Sequence, residues 1–245
     1  ILEQLEPLGF ICNIIGSDLT DQPTLVAHHV GNKSRKKIVI YGHYDVAPVK
    51  NESEWLTPDP FKLELANNRL YGRGIADNKG PLFMRIEAIK ELLLSENDVP
   101  EILWLIQGEE EITGPRVATD IFKDELQKFN SNVFIEETGF NDIDSGEPIA
   151  FLWSPNEHNK LLDGFKSLLR DSLNINRIEY RHLNKFNGID NCPLLSNLGQ
   201  DSIYIGFGPN DKFHKIHSSN ESLNMDTLAE HKNKFINFMI HYAKS

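Results

Sequence analysis

Cysteine is nearly absent: Cys12 and Cys192 are the only two in 245 residues, far apart and without a C-x-x-C spacing. That excludes a disulfide framework and a thiolate zinc site, and makes a reducing, cytoplasmic compartment the expected setting. No run approaches the roughly 18 to 20 apolar residues that a membrane span requires, so no membrane partner is expected. Basic residues are in deficit, 25 Lys and Arg against 36 Asp and Glu, for a formal net charge of -11. Nucleic acid is thereby excluded as a partner, because phosphate binding needs clustered Lys and Arg. Internal repeats and low-complexity runs are missing too. No signal peptide is visible, and the chain opens at Ile1 inside an apparent helix, ILEQLEPLGF. It therefore reads as a fragment or trimmed piece, from which a leader could have been removed.

What remains is an ordinary globular composition, 40% hydrophobic and 25% charged, in a length suited to one large domain over 1–245. Apolar strand-like runs alternate with helical periods. KKIVIYG (Lys37 to Gly42), EILWLIQG (Glu101 to Gly108), NVFIEE (Asn132 to Glu137) and DSIYIGFG (Asp201 to Gly208) have the pattern of buried strands. Leu82, Phe83, Ile86, Ile89 and Leu93 fall on one helix face. The stretch from Asp226 to Tyr242 reads as an amphipathic helix with Leu228, Phe235, Ile236, Met239 and Ile240 inward. The expected fold class is α/β, a mostly parallel twisted sheet with helices on both faces. Such sheets bind ligands outside the carboxyl ends of their strands, and the polar residues of this chain cluster there.

With thiolates excluded, any metal site must use His, Asp and Glu. His43 and Asp45, two apart in extended chain, point to the same side. A ligating imidazole commonly needs a carboxylate on its other nitrogen. The alternative is a strand end with solvated polar residues. Asp77, in GRGIADNKGP, either bridges two cations or stands as a first-turn acid of the next helix. Glu109, Glu110 and Glu111 follow a strand directly. Three adjacent carboxylates at the mouth of a core repel one another unless a cation is near. One could be a ligand and its neighbour a general base; otherwise they form an acidic first turn. Glu136 and Glu137 repeat the pattern, and HKIHSSNE offers His214 and His217. Together they place imidazoles and carboxylates at one sheet edge, an arrangement that divalent metals explain.

These residues resemble the di-zinc exopeptidase family of carnosine dipeptidases, aminoacylases and glutamate carboxypeptidases. The resemblance runs in order through YGHYDVAPV, the Trp55, Pro60 and Phe61 neighbourhood, LYGRGIADNKGP, GEEEITG, FIEETGF and HSSNE. YGHYDV and DNKGP look nearest to the dipeptidase branch. The resemblance implies a zinc-exopeptidase-like catalytic domain with two divalent ions, zinc first, with manganese or cobalt also admitted by such ligands. His43, Asp77, Glu111, Glu136 and His217 match its metal-ligand positions, with Asp77 as the bridge. Asp45 matches the residue that orients the first histidine, and Glu110 the general base. The implied reaction is hydrolysis of an amide or peptide bond in a small peptide or N-acyl amino acid by metal-activated water.

Several features depart from the family pattern. The inserted lid and dimerisation domain has no room near 150–160, where FIEETGFNDIDSGEPIAFLW runs almost directly into HNKLLDGFKSLLRDSL. The GIDN segment at Asp190 lacks the Arg sometimes found after it, and GEEEITG carries an extra residue before its glycine. A monomer, or a dimer through a surface other than the lid, is the expectation. Two other functions fit: a lid-less di-zinc aminopeptidase anchoring a free amine through Glu109 or Glu137, and a metal-binding scaffold subunit impaired in catalysis.

Overall fold

The computed structural model describes residues 1–112, 116–136, 139, 141–142, 144–180 and 193–245. Its strands are β1 (Ile11–Ile15), β2 (Thr24–His29), β3 (Lys37–His43), β4 (Glu64–Ala66), β5 (Arg69–Tyr71), β6 (Glu101–Gln107), β7 (Val133–Glu136), β8 (Ile149–Trp153), β9 (Arg177–Tyr180), β10 (Ile203–Gly206) and β11 (Ser222–Asn224). Its helices are α1 (Leu2–Leu5), α2 (Gly80–Leu94), α3 (Ala118–Phe129), α4 (Leu162–Leu173), α5 (Pro193–Ser196) and α6 (Met225–Lys244).

The four runs expected as strands form the middle of an eight-stranded sheet, order β1-β2-β6-β3-β7-β10-β8-β9. β6, β3, β7 and β10 are parallel neighbours. They are buried on both sides because apolar residues occupy both parities of each run, Phe134 and Tyr204 filling the second face of β7 and β10. β3 and β6 pair in parallel from Lys37 opposite Glu101 to His43 opposite Gln107, so their carboxyl ends finish level. The flanks run the other way: β2 is antiparallel to β6, and β8 to β10. Those antiparallel arms were not legible as strands.

Helices cover both faces. Leu82, Ile86 and Ile89 of α2 and Phe235, Phe238 and Met239 of α6 pack in one core with Ile38 and Ile40. Phe122 and Phe129 of α3 pack on the other face with Val39, Tyr41, Leu103 and Leu105. The face expected for α2 needs one correction: Phe83 is 42% exposed, and Arg85 and Leu92 are buried in its stead. Ile236 and Ile240 of α6 are only partly buried against the core. Residues 154–161 join β8 to α4.

A second sheet, β11-β5-β4, is small but places the site. β5 and β11 pair antiparallel with Tyr71 opposite Ser222. The chain leaving β5 toward α2 is therefore held against the chain entering β11, and the Gly72 amide donates to the Glu221 carbonyl at 3.1 Å.

Candidate metal centre

β3 delivers His43, which is 1% exposed. Just beyond it Asp45 turns back, and His43 Nδ1 lies 3.2 Å from both the Asp45 carbonyl and its Oδ1. The Asp45 carboxylate also accepts from the backbone N–H groups of Glu110 (3.2 Å) and Glu111 (2.8 Å). One buried carboxylate thus orients the imidazole and the loop after β6 together. Burial pushes Asp45 up, but the bonds from His43 and the Glu111 and Glu110 amides outweigh it and hold the carboxyl below its usual range.

Asp77 sits in a short π-turn, Ile75–Lys79, ahead of α2. Its backbone is not helical (φ -132, ψ 90), and Lys79 rather than Asp77 occupies the helix N-cap. Asp77 is therefore not the helix cap, though it stands in the turn that leads into α2. The carboxylate instead presents Oδ1 to His43 Nε2 at 2.9 Å and Oδ2 to His217 Nε2 at 3.0 Å. Glu111 Oε1 lies 2.8 Å from the same His217 nitrogen. Bonds from His217 and His43 overcome the burial of Asp77 and keep it strongly acidic. The Asp77 and Glu111 carboxylates push His217 up to about 10.

The donor set fits divalent cations. Both nitrogens of His43, and Nε2 of His217, face carboxylate oxygens at hydrogen-bond distance, which demands positive charge between them. Protons or cations can supply that charge, and mixed imidazole–carboxylate sets suit Zn, Mn or Co. Ligand atoms of His43, Asp77 and Glu111 lie within 4.8 Å of one another.

The three glutamates after β6 divide. Glu109 is 4% exposed and accepts from the Val117 amide at the start of α3 at 2.8 Å. One of its oxygens thus serves the helix terminus. Glu110 faces the centre. Burial, helped by the Asp77, Glu111 and Asp45 carboxylates and opposed by His43, pushes it up to about 7. Arg116 ties the loop down, donating to the carbonyls of Glu109, Glu110 and Ile112.

Glu136 is not one of the three residues, His43, Asp77 and Glu111, whose ligand atoms converge within 4.8 Å. It is 8% exposed at the end of β7, and its carboxylate accepts from the Tyr204 hydroxyl of β10. Glu137, Asp190, Cys192 and the glycine of GEEEITG lie outside the described residues. His214 is half-buried, and its Nδ1 accepts from the Ile216 amide at 3.0 Å. Sequence spacing missed Arg73, Arg85 and Glu221, all buried charges whose partners are far away in the chain. Arg85 of α2 donates to the carbonyls of Glu136 and Phe207, both at 3.0 Å, bracing the ends of β7 and β10.

A parallel-centred sheet with imidazoles and carboxylates at the carboxyl ends of its middle strands defines an α/β metallopeptidase-type domain. The chain belongs to peptidase family M20/M25/M40, whose model matches residues 39–241. Beta-Ala-His dipeptidase of Rattus norvegicus is 34% identical over 119 residues, 48% of this chain and 24% of that protein. Cys-Gly metallodipeptidase dug1 of Schizosaccharomyces pombe is 37% identical over 119 residues, 46% of this chain and 24% of its own length. The matched stretch thus spans about a quarter of these relatives. Among solved structures, the M20 metallo-carboxypeptidase Sso-CP2 of Sulfolobus solfataricus is similar at TM-score 0.70 and 17% identity, over 99% of this chain and 93% of that one. Human carnosine dipeptidase 1 is similar at TM-score 0.66 and 13% identity, over 99% and 90% of the two chains.

Proposed function

We propose that this chain is the metal-binding catalytic domain of a hydrolase that cleaves the amide or peptide bond of a small peptide, as a dipeptidase or related exopeptidase. One observation carries the reading: Asp77 offers a separate carboxylate oxygen to each of two imidazoles, with Glu110 and Glu111 alongside. His43, Asp77, Glu111 and His217 would hold two divalent ions, zinc first. Glu136 would join them by turning its carboxylate away from Tyr204. Bound ions would supply Lewis acidity for the scissile carbonyl and acidify the attacking water.

The chain's own residues do the rest. Asp45 accepts a hydrogen bond from the Nδ1–H of His43, which fixes the tautomer and leaves the Nε2 lone pair to face an ion. Glu110 accepts the proton of the attacking water and delivers it to the leaving amine. Burial pushes its carboxyl up in the metal-free chain, and ions bound alongside would draw it down toward the base form. The dipeptidase relatives favour a dipeptide substrate over an N-acyl amino acid.

The test is the metal content of the purified chain by mass spectrometry, beside His217→Ala, followed by a dipeptide screen. About two equivalents, falling in the variant, support the reading. A wild-type chain that retains no metal after exposure to zinc would sink it, and the scaffold alternative would then lead.

A further inference from the structure

Glu221 enters β11 directly after the loop that carries His217, and its side chain is 1% exposed. Both oxygens are fully used. Oε2 accepts from Arg73 Nη1 at 2.7 Å and from the Gly74 amide at 3.0 Å. Oε1 accepts from the amides of Ala76 at 2.8 Å and Asp77 at 3.1 Å. A carboxylate has about four acceptor positions, and here all four are filled by one loop.

Stability alone does not account for this arrangement. Burying an ion pair commonly costs as much desolvation as its attraction returns. Arg73 Nε is buried here without a hydrogen-bond partner among the described residues, a further loss. What the pair does achieve is geometric. The Trp55 ring, 5.4 Å from the Arg73 guanidinium, covers the pair from one side. The loop from Gly72 to Asp77 wraps the carboxylate, so the Asp77 backbone is fixed relative to a residue four positions after His217. His217 and Asn220 both hold left-handed backbone, φ 59 and 65, and Asn220 binds the Glu54 carbonyl and the Leu56 amide. The segment ending in Glu221 is thereby pinned from two directions.

We propose that Glu221, with Arg73, is the positioning residue that sets Asp77 against His217 and thereby determines how tightly the centre holds its ions. The proposal rests on the metal-binding reading above. Its chemistry makes a sharp demand on substitution. A glutamine has the same shape but replaces one oxygen by an NH2 group. Whichever way that amide turns, one pair of donors, Arg73 with Gly74 or Ala76 with Asp77, meets a donor where an acceptor stood.

The experiment is a Co(II) titration of the chelator-stripped chain, followed by visible absorption, for wild type and Glu221→Gln. Amide exchange of both metal-free proteins is measured in parallel. Glu221→Gln should bind Co(II) about 10- to 100-fold more weakly, with an altered band shape, the usual size of an outer-shell effect. The Gly74, Ala76 and Asp77 amides should exchange about tenfold faster or more. Arg73→Lys, which keeps a cation at Oε2, should stay within about threefold of wild type in Co(II) affinity, and Arg73→Met should lose about tenfold. If Glu221→Gln does not fold, the Arg73 pair carries the test. A folded variant with wild-type affinity and spectrum, merely melting lower, overturns the proposal and leaves the metal reading standing. A wild-type chain that takes up no Co(II) overturns the metal reading itself, and exchange then decides whether Glu221 holds the loop.

Discussion

Glu110 is where chemistry separates from ion retention. It is proposed to carry the proton, and no ligand role is proposed for it. Glu110→Gln should lower kcat by about 10²- to 10⁴-fold while metal content stays at the wild-type level, read by a dipeptide assay beside mass spectrometry. Comparable turnover in the variant would remove the base assignment. The residues that could be named beforehand share one property. His43, Asp77, Glu110, Glu111 and His217 stand in short polar runs abutting apolar strands or glycine turns, and that contrast shows in sequence. Glu221, Arg73 and Arg85 do not stand out, because what matters about them is burial and a distant partner. Glu221 and the Asp77 amide are 144 positions apart. Glu109 could not be told from Glu110 by spacing. Only the fold shows that it serves α3.

At the scale of elements, α6 contains a buried base. His231 is 2% exposed, lies 5.6 Å from the Phe207 ring, and has neither ring nitrogen hydrogen-bonded among the described residues. Burial drives its imidazole well below the ordinary value, and the charges of Arg85 on α2 and Lys234 on α6 add to this. It is therefore neutral in the folded chain. Below about pH 6.5 the unfolded chain binds a proton at this position that the folded chain refuses. Stability must then fall on acidification, by about 1.4 kcal/mol per pH unit from this group. His231→Phe should flatten that slope. Urea melts between pH 5 and 8 check it: the stability of the variant relative to wild type should rise as pH falls, and a constant difference would contradict the argument. The amphipathic period located α6 and α2 in the sequence but assigned Phe83 inward and overlooked Arg85. A period counts apolar residues and is blind to a buried guanidinium bonded to two strand-end carbonyls. β4, β5 and β11 escaped for a different reason: three residues are too few to display alternation.

The whole molecule shows the same division. Its parallel centre was legible because strands buried on both faces are continuous apolar runs. The antiparallel flanks were not, since β1 has mixed burial and exposes Ile11 and Ile14. No helix among the described residues is long and apolar enough to cross a membrane. Ions bound only by the folded chain would raise its stability by mass action, about 2.7 kcal/mol per site at a free concentration of 100 Kd. For a chain of this size that corresponds to about 5 °C or more in Tm. Calorimetry with zinc and with chelator should therefore differ by at least that amount. Equal melting temperatures would count against a centre built by the fold.

β5 and β11 bring together parts of the chain made far apart in time. Glu111 and His217 are separated by 106 positions, and Glu221 closes on the Asp77 loop across a still longer interval. Contacts of that range form late in folding, after most loop-closure entropy has been overcome. During synthesis the first imidazole and the shared carboxylate emerge well before the segment that completes them. A nascent chain stopped before residue 217 would contain three of the four proposed ligands, and one stopped between 217 and 221 all four but not the Glu221 carboxylate. On the proposed reading, tight ion capture would therefore report that β11 has closed on the Asp77 loop.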